Sequence, residues 1–149
     1  MLSYSISTPI QAPISHVKEL FTADLLLRLS PPFPRVSLQR FDGCKKNDNV
    51  ILEINLLFRK VTWSSLITED ALTADEWYFI DQGVKMPFGL QYWQHKHRVK
   101  KISEVSCEII DEISLVISSW NFIDLSKYSS IDFLNAKLDS DCFVVGMLE

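Results

Sequence analysis

The chain has 149 residues, 47% of them hydrophobic and 23% charged, with a formal net charge of −4. Those values fit one globular domain over residues 1–149 and exclude a disordered or low-complexity chain. The negative balance, with no long basic block, argues against nucleic acid and against a membrane surface held by charge.

Leu2 to Thr8 alternates, with Tyr4 and Ile6 on one face, and is read as a first strand. Pro9 and Pro13 punctuate it, and Pro13 suits the first turn of a helix. Ile14, Val17, Leu20 and Phe21 follow at helical spacing, and Leu25, Leu26 and Leu29 continue the apolar set. A break at Thr22-Ala23-Asp24 divides this stretch into two short helices, and Ser30-Pro31-Pro32-Phe33-Pro34 ends it. The remainder is read as strands. Arg35 to Phe41 closes on the turn pair Asp42-Gly43. Val50, Leu52, Ile54, Leu56 and Phe58 alternate strictly, and Val61 to Glu69 and Glu76 to Asp81 follow. The Trp93 strand and Ser106 to Ser118 come next, the latter with Cys107, Ile109, Ile113, Leu115 and Ile117 on one face. Residues 130–142 read as a helix, with Ile131, Leu134 and Leu138 on one stripe, and residues 143–146 as a strand or a frayed end. Strand, helical pair and about six successive strands make an antiparallel meander with the helices on one side, an α+β plan.

Three cysteines, Cys44, Cys107 and Cys142, stand far apart with no CxxC pair, which fits reduced thiols in the cytoplasm. Residues 1–11 lack the basic and apolar regions of a signal peptide, and no apolar run reaches the roughly 18 residues of a membrane span. A soluble cytoplasmic protein without stable membrane insertion is expected.

The segment Trp93-Gln94-His95-Lys96-His97-Arg98-Val99 carries the functional signal. Period-two alternation puts Trp93, His95, His97 and Val99 on one face and Gln94, Lys96 and Arg98 on the other. Imidazoles on an apolar face need partners. A hairpin turning at Ser103-Glu104-Val105 places Lys101 opposite Cys107, Val99 opposite Ile109, His97 opposite Asp111 and His95 opposite Ile113. A His97–Asp111 pair accounts for a carboxylate among Ile109, Ile113 and Leu115. The residues favour that structural pair over a polar group in a cavity, and both over a metal site. The HxH spacing supplies two ligands and the hairpin offers Asp111 as a candidate third, but a catalytic site also needs an open position, and no HExxH or spaced CxxC motif supports a metal. Trp63, Trp77, Phe79, Tyr92 and Trp93 fall on neighbouring strands, where they suit a plain core or a ligand pocket. Glu53, Asp42 and His16 are read as solvated or turn residues. No serine has a triad partner that spacing can certify. With only four glycines and no glycine-rich loop, a nucleotide cofactor is not expected.

Several motifs together resemble a known family. They are Thr8-Pro9-Ile10-Gln11-Ala12-Pro13, Leu29-Ser30-Pro31-Pro32-Phe33-Pro34, Arg40-Phe41-Asp42-Gly43, Pro87-Phe88 to His97, and Ile110-Asp111-Glu112. Over Leu2 to Ile117 the chain resembles the START-related SRPBCC superfamily, in particular its bacterial ligand-binding branch. The resemblance implies a helix-grip fold: a curved antiparallel sheet of about six to seven strands, two short helices and a carboxy-terminal helix. It also implies a cavity between sheet and carboxy-terminal helix, used in relatives for lipids, sterols, polyketides and other apolar molecules. Some relatives are cyclases or hydrolases. Beyond Ser118 the sequence departs from the pattern, since residues 132–141 carry acidic groups and the single lysine Lys137 where a basic closing helix is expected.

The reading that follows is a binder of an apolar small molecule, lipid-like, polyketide-like or aromatic, without metal or cofactor and without assigned catalytic residues. Trp93, His95, His97, Asp111, Trp63, Trp77 and Phe79 are its candidate ligand-binding residues. A cyclase or dehydratase with a cavity histidine as base, and a protein-interaction module with a filled core, are the alternatives. Open volume beside a perturbed titratable group marks the enzyme, volume without one the binder, and a filled core with an exposed apolar patch the module.

Overall fold

The computed structural model describes residues 1–30, 33–87 and 89–118. Strand β1 (Leu2–Ile10) leads into helices α1 (Ile14–Leu20) and α2 (Ala23–Arg28). Strands β2 (Arg35–Phe41), β3 (Asn49–Asn55), β4 (Lys60–Leu72), β5 (Glu76–Lys85), β6 (Leu90–Ser103) and β7 (Ser106–Ile117) follow. All seven form one curved antiparallel sheet in the order β1-β7-β6-β5-β4-β3-β2. β2 to β7 are a meander of neighbours, and β1 pairs with β7 on the far edge. The two helices therefore connect one edge strand to the other. They pack on the sheet on the way, α1 against β5 and β6 and α2 against β2.

One face of the sheet is buried and the other is wet, as its alternation requires. Val50, Leu52, Ile54, Trp63, Ile67, Trp77, Phe79, Trp93, Val99, Ile109, Ile113 and Leu115 are all buried on the helix side. The outer face carries ion pairs, among them Arg98 with Glu76 at 2.6 Å and with Glu112 at 3.0 Å. The break between the helices has a local cause. Phe21 is the C-cap of α1 and Thr22 the N-cap of α2, its hydroxyl accepting from the Leu25 N–H at 3.4 Å. Pro13 takes the N-cap of α1, one position before the first helical residue. Gly83 keeps β5 close to its neighbours, since a Cβ there would clash with the Met86 side chain and meet Trp93 Cβ at 3.1 Å.

Several boundaries differ from the sequence reading, among them β1, which runs to Ile10 rather than Thr8, and β4, which runs to Leu72 rather than Glu69. β3 stops at Asn55 rather than running to Phe58. The Leu56 N–H donates to Arg59 C=O, and the Asn55 side chain accepts from the Leu57 N–H at 3.1 Å. Leu57 sits at φ +69°, a turn conformation that apolar alternation cannot signal. β5 continues four residues past Asp81 to Lys85. The β6–β7 turn is Glu104-Val105, closed by Ser103 opposite Ser106, with a bulge between Lys101 and Ser103 that restores the expected register. The helix read at residues 130–142, the segment read at 143–146 and Cys142 lie outside the described residues, as do Pro31, Pro32 and Phe88 of the motifs. No helix among the described residues is long and apolar enough to cross a membrane.

Candidate functional site

The β6–β7 register places His97 opposite Asp111 and His95 opposite Ile113, as the hairpin argument requires. Asp111 is the centre of the polar group. Its Oδ1 lies 2.7 Å from His97 Nδ1 and 3.0 Å from His95 Nε2. One carboxylate oxygen thus accepts from two imidazoles, where the sequence paired it with one. His95 is the diagonal neighbour across the strands, and its long ring spans that gap. Burial by itself would raise the Asp111 carboxyl. The charge of His97 and the hydrogen bonds from His95 and His97 outweigh it and hold the group well below the usual carboxylate range.

The rings continue the line of contact. Phe79 stacks on His97 with centroids 4.5 Å apart, and His97 lies 3.6 Å from His95. Trp93 meets His95 edge-on at 6.1 Å, and Trp63 meets Trp93 edge-on at 5.2 Å. A row of five rings therefore crosses β5, β6 and β4. With Nδ1 engaged by Asp111, the ring's other nitrogen, Nε2, is the atom left to meet a ligand.

Above this row, between the helices and the sheet, lies a cavity of about 100 Å³. Phe21, Leu25, Leu26 and Leu29 form its roof, and Trp63, Phe79, Trp93 and His97 contribute to its floor. Four of the seven candidate residues thus meet at the cavity. His95 and Asp111 stand behind His97, and Trp77 is buried against Phe21 at 5.1 Å; these three are not among the lining residues. The cavity was expected between the sheet and the carboxy-terminal helix, a segment outside the described residues. The roof among the described residues is α1 and α2; spacing shows which helix face is buried but not what it covers. Asp81 was also missed. It lines the cavity and sits opposite His95 in the β5–β6 register. Its signal was its phase with Trp77 and Phe79 on one strand face.

Two further chemistries can be assessed. His95, His97 and Asp111 each offer one ligand atom, all within 4.8 Å of one another, so these three residues could hold a metal ion. Cys44 lines the cavity, but burial first, and then Asp48, Asp81 and Asp70, push its thiol up to about 12. It is therefore a neutral thiol at physiological pH, unsuited to nucleophilic attack. Peptide mapping after iodoacetamide treatment at neutral pH should find Cys44 unmodified in the folded protein and modified after unfolding. Rapid labelling of Cys44 in the native state would contradict the assignment.

No family model matches the sequence, and no curated protein matches it. Solved structures do. A START superfamily protein from Mycobacterium smegmatis superposes with TM-score 0.62 at 8% identity, covering 99% of each chain. The chain has the START-related helix-grip fold. Norcoclaurine synthase from Thalictrum flavum, solved with dopamine and hydroxybenzaldehyde, gives TM-score 0.59 at 12% identity, covering 99% of this chain and 88% of that one. The Zhui aromatase/cyclase from Streptomyces sp. R1128 gives 0.57 at 12% identity, covering 96% and 95%. At these identities the likeness establishes architecture alone.

Proposed function

We propose that this protein binds a small apolar molecule, about one aromatic ring in size and bearing a hydrogen-bond donor, in the cavity between α1–α2 and the sheet. The observation that carries the reading is the composition of the walls: aromatic and aliphatic side chains, with His97 and Asp81 as polar anchors. The volume sets the class. A cavity of about 100 Å³ is below the roughly 300 Å³ of ordinary drug-sized pockets. It is nearer the roughly 150 Å³ engineered cavity that admits benzene. A short or single-ring ligand is therefore favoured over a whole lipid. The norcoclaurine synthase complex, with its dopamine and hydroxybenzaldehyde, supports a ring-sized occupant by analogy of fold.

One observation favours a second reading. Asp111 orients a histidine in the cavity wall, which is the arrangement of a general base. In that reading the bound ring is a substrate, and His97 Nε2 takes its proton.

The test is a thermal shift with p-cresol. A ligand that binds the native state alone raises Tm with concentration. The wild type should show that rise, and Leu26→Trp, which fills the cavity from its roof, should not. Equal shifts in both proteins would place the binding elsewhere and end the proposal.

A further inference from the structure

We propose a second binding site, separate from the cavity: the β3–β4 hairpin tip docks on a membrane surface rich in anionic lipid. The tip carries two consecutive large apolar side chains in the open, Leu57 at 69% and Phe58 at 88% exposure. Tight turns ordinarily carry Gly, Asn or Asp, and Leu57 holds φ +69°, where a branched apolar residue is strained. Phe33 extends the patch and is exposed too. It lies two residues before Arg35, which pairs with Asn55, and Leu57 lies two residues after Asn55, so the register brings both to the same corner of the sheet.

The charge at this corner is opposite in sign to that of the chain. Arg35 and Arg59 are exposed there, with no ion pair among the described residues. Lys60 is balanced by Glu53 at 2.8 Å. Two cations therefore flank three exposed apolar groups, although the chain as a whole is at −4. The net charge that argued against an electrostatic membrane contact conceals this local balance.

The combination selects the occupant. Stable protein interfaces bury roughly 1,000 Å² or more with matching shape, and a narrow convex tip of two or three side chains does not offer that. A lipid interface needs only a few apolar groups that enter the acyl boundary and cations that meet anionic headgroups, neither sufficient alone. Docking here does not require that the cavity hold a ligand.

Sedimentation of the full chain with lipid vesicles tests the proposal. The wild type should pellet with vesicles of phosphatidylcholine and phosphatidylserine, pellet far less with phosphatidylcholine alone, and be released by high salt. The double variant Leu57→Asn with Phe58→Ser should bind at least about tenfold more weakly. Asn accepts the left-handed turn, so an unchanged Tm would show that the fold is kept. Arg59→Glu should lose binding to the serine-lipid vesicles as well. Failure of the wild type to pellet with either vesicle, or undiminished binding by the double variant, would overturn the proposal. So would a dimer of the wild type that the double variant abolishes without any lipid binding, which would assign the tip to a second copy of the chain.

Discussion

Replacing Asp111 with alanine should lower the unfolding free energy by about 3–5 kcal/mol. The side chain is buried and accepts from both His95 and His97 through one oxygen. Its removal leaves two imidazoles beside a void, His95 fully buried and His97 only partly exposed. Asp111→Asn should recover part of the loss, since its carbonyl still accepts. Urea unfolding of the three proteins measures this, and a change under about 1 kcal/mol for the alanine variant would show that the triad holds little of the core together. The same group makes stability depend on acid. Its folded-state carboxyl lies below the ordinary value of 3.8. Its contribution is therefore complete above about pH 4 and declines as the pH falls further, toward the lower folded value. Wild-type stability should drop below pH 4 more steeply than that of Asp111→Asn. Parallel curves would contradict the assignment.

Trp93→Ala should cost about 3–5 kcal/mol as well, and for a different reason. Trp93 is 1% exposed, packs edge-on against Trp63 and His95, and forms part of the cavity floor. Removing the indole joins its volume to the existing cavity. The variant should therefore bind p-cresol more weakly, through lost ring contacts, and accept 2-naphthol more readily than the wild type. Trp93→Phe provides the milder comparison, with an intermediate stability loss and the same direction of selectivity. If both variants keep the wild-type preference between the two ligands, Trp93 does not bound the ligand space.

Much of the site could be read from the sequence because a β-hairpin is a ruler. Once β6 and β7 pair with Lys101 opposite Cys107, the period of two carries His97 to Asp111 and His95 to Ile113. The bulge between Lys101 and Ser103 shows why that reading was exposed to error: it compensates a two-residue turn that spacing read as three residues. The second hydrogen bond to Asp111 was not legible, because it runs diagonally from His95 and depends on where the ring points rather than on register. The cavity was legible only on its sheet side. Leu25, Leu26 and Leu29 reveal an apolar helix face by their spacing. Which strands that face covers depends on α1 and α2 bridging the two sheet edges, a long-range fact that periodicity does not encode. The β3–β4 tip was misread for the complementary reason. Leu56 and Phe58 extend the alternation of Val50, Leu52 and Ile54, so a turn built from apolar residues looks like more strand.

The central claim is that a ring-sized ligand with a donor enters the cavity and is anchored by His97. It is tested most directly by titrating isotope-labelled protein with p-cresol and, separately, with toluene, while following backbone amide and histidine ring resonances by NMR. The account predicts saturable one-to-one shifts at Leu26, Phe79 and the His97 ring, tighter binding of p-cresol than of toluene, and loss of these shifts in Leu26→Trp. Shifts confined to the sheet's outer face, or p-cresol binding that survives in Leu26→Trp, would contradict it.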